Sequence, residues 1–170
     1  SDTRPRFLLL KRVGMHCHDG RMPSSSVQDG RCPLPNACYV VTTVTRHHSP
    51  LFNHHANAQE VVRWLRASDA ENRTESLAWV VLPDRLHWLF RLHKHRLSSV
   101  VRSLKSRSAH ALHQRNATQG RIWQPGCHDQ SQCDERQLLA CATDILSTPM
   151  RAGLARGLHS YPFSWCRWPV

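Results

Sequence analysis

The stretch that most constrains the fold is Leu77–Leu92, L-A-W-V-V-L-P-D-R-L-H-W-L-F-R-L. Two apolar runs, Leu77–Leu82 and Leu86–Leu92, flank Pro83-Asp84. Proline and aspartate between hydrophobic runs are turn chemistry, which predicts two antiparallel strands joined by a tight connection. In the second run Leu86, Trp88, Phe90 and Leu92 alternate with Arg85, His87, Leu89 and Arg91. Side chains alternate faces along a strand, so the first set lines a core while Arg85 and His87 share the other face. A polar pair at i, i+2 on a strand otherwise built for burial marks a candidate site. The plainer alternative is a wet strand face, since His87 is one of 13 histidines.

Other segments extend this pair into a sheet with helices. Cys38–Thr45, C-Y-V-V-T-T-V-T, is β-branched and aromatic and reads as a strand. Arg46–Asn53 is a loop with a proline, and Ala58–Ala67 carries Val61, Val62 and Leu65 at helical spacing. Ser68–Ser76 reads as a polar linker. In Ser98–Arg115 the residues Leu97, Val100, Val101, Leu104, Ser108, Ala111 and Leu112 form one helical stripe of about 120°. Arg102, His110 and His113 lie opposite, on a face that is either solvated or phosphate-contacting. Arg121–Trp123 begins a short extended segment. Asp134–Leu146 is a helix with Asp134 as N-cap, which Pro149 is expected to end. Tyr161–Val170 is aromatic and is expected to pack over the core.

The order strand, helix, strand, strand, helix, short strand, helix predicts an α+β fold. The arrangement is a ferredoxin-like antiparallel sheet of split βαβ type, with helices on one face. Arg85 and His87 would then sit on a bare sheet face. Residues 1–36 lack periodicity and are rich in Pro, Gly, Ser and Arg, so they read as an irregular arm before a domain at 37–170.

Charge narrows the function. Lys and Arg number 23 against 12 Asp and Glu, a formal +11 with neutral histidine, which favours polyanions, nucleic acid before an anionic membrane surface. No apolar run approaches the roughly 20 residues needed to span a bilayer. Without a secretion signal of ordinary design, the expected compartment is the cytoplasm. Seven cysteines with no C-x-x-C spacing read as free thiols. His16-Cys17-His18 and Cys127-His128 with Cys133 are candidate zinc ligands that lack zinc-finger spacing.

Several segments, in order, resemble the single-tyrosine HUH transposases, in particular the REP-associated tyrosine transposases, small bacterial proteins that act on hairpins of single-stranded DNA. They are Y-V-V-T-T-V-T at Tyr39–Thr45, A-W-V-V-L-P-D-R-L-H-W-L-F at Ala78–Phe90 and S-V-V-R-S-L-K-S-R-S at Ser99–Ser108. I-W-Q-P-G-C-H-D at Ile122–Asp129, T-P-M-R-A-G-L at Thr148–Leu154 and Y-P-F-S-W at Tyr161–Trp165 complete the set. The resemblance implies two strand histidines holding Mg²⁺ or Mn²⁺ against the scissile phosphate. It also implies a helical tyrosine that attacks phosphorus and becomes phosphotyrosine, with a further metal ligand one turn later. Met22-Pro23-Ser24-Ser25-Ser26 resembles an ordinary start for that family, which would make residues 1–21 an upstream extension.

The departures fall on the chemistry. The family pattern L-P-[DEN]-H-x-H stands here as Leu82-Pro83-Asp84-Arg85-Leu86-His87, so Arg85 occupies the first histidine's place. Arginine stays charged at any relevant pH and repels a divalent cation. Counting back from Pro149, Asp144 stands at the tyrosine's position and Thr148 at that of the later ligand, leaving His87 as the matching metal residue. Each change is reachable by one nucleotide substitution, which fits a decaying copy. Arg91, Arg102, Lys105, Arg107 and Arg115 are the candidate phosphate contacts, and Trp88 or Trp123 the candidate stacking residues.

The expected function is therefore binding of single-stranded or hairpin DNA, as monomer or homodimer, with cleavage lost or impaired. One alternative is an active metal-dependent nicking transposase using His87, Asp144 and His128. The other is a non-functional pseudogene product.

Overall fold

The structure is a computed structural model that describes residues 36–132 and 134–170. The arm at 1–35, with the expected upstream extension, His16-Cys17-His18 and Cys133, lies outside the described residues. Five strands and three helices follow in the order β1 (Cys38–Val44), α1 (His55–Ala70), β2 (Thr74–Leu82), β3 (Arg85–Leu92), α2 (Leu97–Asn116), β4 (His128–Gln132), α3 (Glu135–Arg151) and β5 (Ser164–Cys166). Two short 3-10 turns, Arg46–His48 and Leu51–Asn53, fill the first loop. The fold is α+β, a single antiparallel sheet in the order β4-β1-β3-β2-β5.

The Pro83-Asp84 turn joins β2 and β3 as the sequence predicts, with Leu82 opposite Arg85 and Val80 opposite His87. β1 pairs with β3 in a register that sets Thr42 against His87 and Val44 against Arg85. Trp79, Val81, Leu86, Trp88, Phe90 and Leu92 meet Ala58, Val61 and Leu65 of α1 and Val100, Val101, Leu104 and Leu112 of α2. Fully burying an aliphatic or aromatic side chain contributes roughly 1.5–3 kcal/mol, so this cluster is a principal source of stability.

Three expectations need correction. Helices lie on both faces of the sheet: α1 and α2 cover one, and α3 crosses the other. Leu138, Ala142, Ile145 and Leu146 of α3 pack on Cys38, Leu77, Ala78, Val80, Leu82 and Leu89. The face carrying Arg85 and His87 is therefore covered rather than bare. The cause is apolar content, since Ala78, Val80, Leu82 and Leu89 would otherwise face water. The segment Ser68–Ser76 is also not a linker, because α1 runs to Ala70 and β2 begins at Thr74. Asp69 Oδ1 accepts from the Thr74 hydroxyl, the Ser76 hydroxyl and the Ser76 amide, which fastens strand to helix.

The third correction concerns Pro149, which lies inside α3 and does not end it. Its missing N–H leaves the Ile145 carbonyl without its helical donor. The Thr148 hydroxyl takes that place, donating to Ile145 O at 2.6 Å, and the helix continues to Arg151. The other end follows expectation, with Asp134 accepting from the Gln137 amide at 2.9 Å. The C-terminal segment packs on the sheet as expected. β5 pairs with β2, and the Tyr161 hydroxyl donates to Val81 O.

Candidate catalytic site and nucleic-acid surface

Strand periodicity places Arg85 and His87 on one side of β3, and α3 brings Asp144 and Thr148 over that side. Arg85 turns back on its neighbour in the chain. Its Nε and Nη2 donate to Asp84 Oδ1 and Oδ2 at 3.0 and 3.2 Å, a two-point carboxylate pair. Asp84 also meets His48 Nδ1 at 3.2 Å. Hydrogen bonding from Arg85, then from His48, holds the Asp84 carboxyl below its usual range.

His87 is partly buried and shares a hydrogen bond between Nδ1 and Thr42 Oγ1 at 2.8 Å. Burial, followed by the charge of Arg85, pulls its pKa down to about 4 against the partial opposition of Asp144. The imidazole is therefore neutral at pH 7. Thr42 is directly opposite His128 of β4 as well, so His87, Thr42 and His128 form a row across three strands of one face.

On α3 the two remaining positions are also engaged. Asp144 Oδ1 accepts from Arg151 Nη1 at 3.0 Å, and the same guanidinium reaches Ser147. Thr148 directs its hydroxyl at its own helix. Asp84 balances Arg85 and Asp144 balances Arg151, so this face carries two internally closed ion pairs.

These residues do not fit a divalent ion. A guanidinium has no lone pair to offer, Asp144 is held by Arg151, and Thr148 is turned away. His87 keeps an imidazole nitrogen for a ligand, as does His128 across Thr42, and two imidazoles alone are too few. Among the described residues no group of three or more His, Cys, Asp or Glu is placed to hold a metal.

No tyrosine stands on α3, where the resemblance implies the nucleophile. The chain has two tyrosines. Tyr39 packs against the α1–α2 side of the sheet, its ring 6.5 Å from Phe90. Tyr161 donates to Val81 O, and burial pushes its pKa up, away from the phenolate. An Asp144 carboxylate attacking phosphorus would form a labile acyl phosphate.

Most of the predicted phosphate contacts have partners within the protein. Arg91 pairs with Glu75 at 2.8 Å, Arg107 with Glu71 at 2.7 Å and Arg115 with Glu60 at 3.1 Å. Lys105 donates to Gln124 O and Gly126 O, pinning the loop before β4 along α2. Arg102 is exposed. The predicted stacking residues are inside: Trp88 and Trp123 are 0% and 4% exposed, their indole N–H groups bonded to Ser76 and Ser108. Trp165 on edge strand β5 is 42% exposed. Neither its exposure nor that of the turn at 93–96 is readable from periodicity, because the first depends on a short edge strand and the second on a loop.

Three comparisons bear on this geometry. The family model for IS200-like transposases matches residues 34–134, a span that includes Arg85 and His87 and ends before Asp144. The fold is similar to that of a REP-associated tyrosine transposase bound to a REP hairpin. The TM-score is 0.66, with 23% sequence identity and 79% of each chain covered. It is also similar to a crystal structure from Deinococcus radiodurans R1 named as a transposase candidate. There the TM-score is 0.50 at 21% identity, covering 66% of this chain and 91% of the other. No curated protein matches the sequence.

Proposed function

The chain belongs to the IS200-like transposase family, and from that premise we propose that it binds single-stranded or hairpin DNA while its strand-cleaving activity is lost or severely impaired. The observation that carries this reading is the pair of closed salt bridges, Asp84–Arg85 and Asp144–Arg151, at the two positions where the family's chemistry requires a metal ligand and a nucleophile. An activated phosphate needs a Lewis acid or a preorganised cationic clamp, together with an attacking oxygen. Here the cations are neutralised in place, and neither tyrosine stands on α3.

Support for DNA as partner comes from the formal +11 and from the hairpin in the structure that this fold resembles. Binding would proceed through phosphate contacts from exposed basic side chains, Arg102 among them. Mg²⁺ or Mn²⁺ would have no role in it. His87 then serves as a polar residue of the β1–β3 pair, bonded to Thr42, rather than as a ligand.

The test is incubation of the protein with labelled hairpin DNA and Mn²⁺, followed by denaturing electrophoresis. The expected result is salt-sensitive binding with no covalent protein–DNA adduct. An adduct would overturn the loss of cleavage, and absence of salt-sensitive binding would overturn the DNA partner.

A further inference from the structure

The turn between β3 and α2 reads His93-Lys94-His95-Arg96. Lys94, His95 and Arg96 are exposed, and α2 follows with Ser99, Arg102, Ser106 and His110 exposed at helical spacing. No acidic residue occurs anywhere from 93 to 116. Among the described residues, Lys94, Arg96 and Arg102 hold no ion pair or side-chain hydrogen bond. The carboxylates at this end of the molecule are engaged elsewhere. Glu71 pairs with Arg73 and Arg107, Glu75 with Arg91 and Arg167, and Asp69 with Thr74 and Ser76.

A cation already paired with a carboxylate releases little on meeting a phosphate, whereas an unpaired one retains its charge and all its donors. We propose that Lys94, Arg96 and Arg102 form the principal phosphate-contacting surface of this protein, and that its occupant is the sugar-phosphate backbone of the DNA hairpin. The inference rests on the DNA-binding reading above and moves its centre away from Arg91, Lys105, Arg107 and Arg115. Arg96 and Arg102 lie about 9 Å apart along the α2 axis. The turn sits at the opposite end of β3 from Arg85, roughly 23 Å away at ~3.3 Å per residue. Grip on the DNA is thereby separated in space from the position of cleavage, and affinity can persist after the catalytic residues have changed.

The experiment measures hairpin affinity by fluorescence anisotropy across a salt series. It compares the full chain, the triple variant Lys94→Gln/Arg96→Gln/Arg102→Gln, and the charge-matched Arg66→Gln/Arg136→Gln/Arg156→Gln. Circular dichroism checks that each is folded. The slope of log affinity against log salt should flatten by about 0.9 per lost contact, roughly 2.7 in all, in the first triple. It should stay near the wild-type value in the second. Equal flattening in both triples would mean diffuse attraction to net charge and would overturn the surface while leaving DNA binding intact. An unchanged slope in the first triple would overturn it in the same way. A wild-type chain without salt-sensitive binding would overturn the surface and the DNA reading together.

Discussion

At the scale of single residues, the site is defined by where charges are already satisfied. His87 gives the clearest solution test. Its pKa in the fold is about 4, against an ordinary 6.5, so between those values the unfolded chain takes up a proton that the folded chain refuses. Its contribution to stability is complete above about pH 6.5, declines as pH falls toward 4, and levels off below. The full loss is on the order of 3 kcal/mol at most. Urea denaturation from pH 7.5 to 3.5 should show a shallower decline in His87→Gln than in the wild type, and parallel curves would refute the buried neutral imidazole. Arg85 gives the chemical test. Arg85→His alone restores a ligand type without a nucleophile, and Asp144→Tyr alone restores a nucleophile beside a guanidinium. Covalent adduct formation with hairpin DNA and Mn²⁺ is therefore expected only in the double variant. An adduct from either single change would show that the other position is dispensable.

At the scale of elements, local rules worked where one interaction decides the outcome and failed where a second compensates. The β2–β3 hairpin was readable because turn residues and alternation agree. The N-cap Asp134 was readable for the same reason. Pro149 misled because the rule that proline ends a helix takes no account of a neighbouring hydroxyl. Thr148 Oγ1 supplies the donor that Pro149 lacks at Ile145 O. A double-mutant cycle isolates this compensation. Thr148→Val in the wild type should cost about 1 kcal/mol by leaving the carbonyl unmet. In a Pro149→Ala background the backbone N–H of residue 149 takes over, and the same substitution should cost close to nothing. A coupling of about 1 kcal/mol by urea titration is the expected result, whereas additive costs would mean that the hydroxyl does not replace the amide.

For the molecule as a whole, the sequence held a signal for two covered faces that alternation in β3 concealed. Leu77–Leu82 is apolar without interruption, the pattern of a strand buried on both sides, while β3 mixes Arg85, His87 and Arg91 into its second face. Giving weight to β3 predicts a bare face; giving weight to β2 predicts a helix over it, and the structure follows β2. The same cover decides the state of the site, because α3 brings Asp144 and Arg151 over His87. The two ion pairs are local, between chain neighbours Asp84 and Arg85 and within α3 between Asp144 and Arg151, but their placement around His87 depends on that long-range packing, so no motif could reveal it. Among the described residues no helix is long and apolar enough to cross a membrane. The apolar stripe of α3 packs on the sheet. Both clusters share strands β2 and β3, with Trp79 and Val81 pointing into one while Ala78, Val80 and Leu82 point into the other. Stripping α3 from its face would expose half of each shared strand, so α3 should not open independently. Leu146, 1% exposed, tests this. Leu146→Ala should cost roughly 2–5 kcal/mol, as large-to-small changes in cores do. The loss should appear in one transition, with fluorescence of the buried Trp88 and far-ultraviolet dichroism coinciding. A first transition that lost helix while Trp88 fluorescence stayed native would show α3, with its own Asp144–Arg151 pair, to be a separable lid over His87.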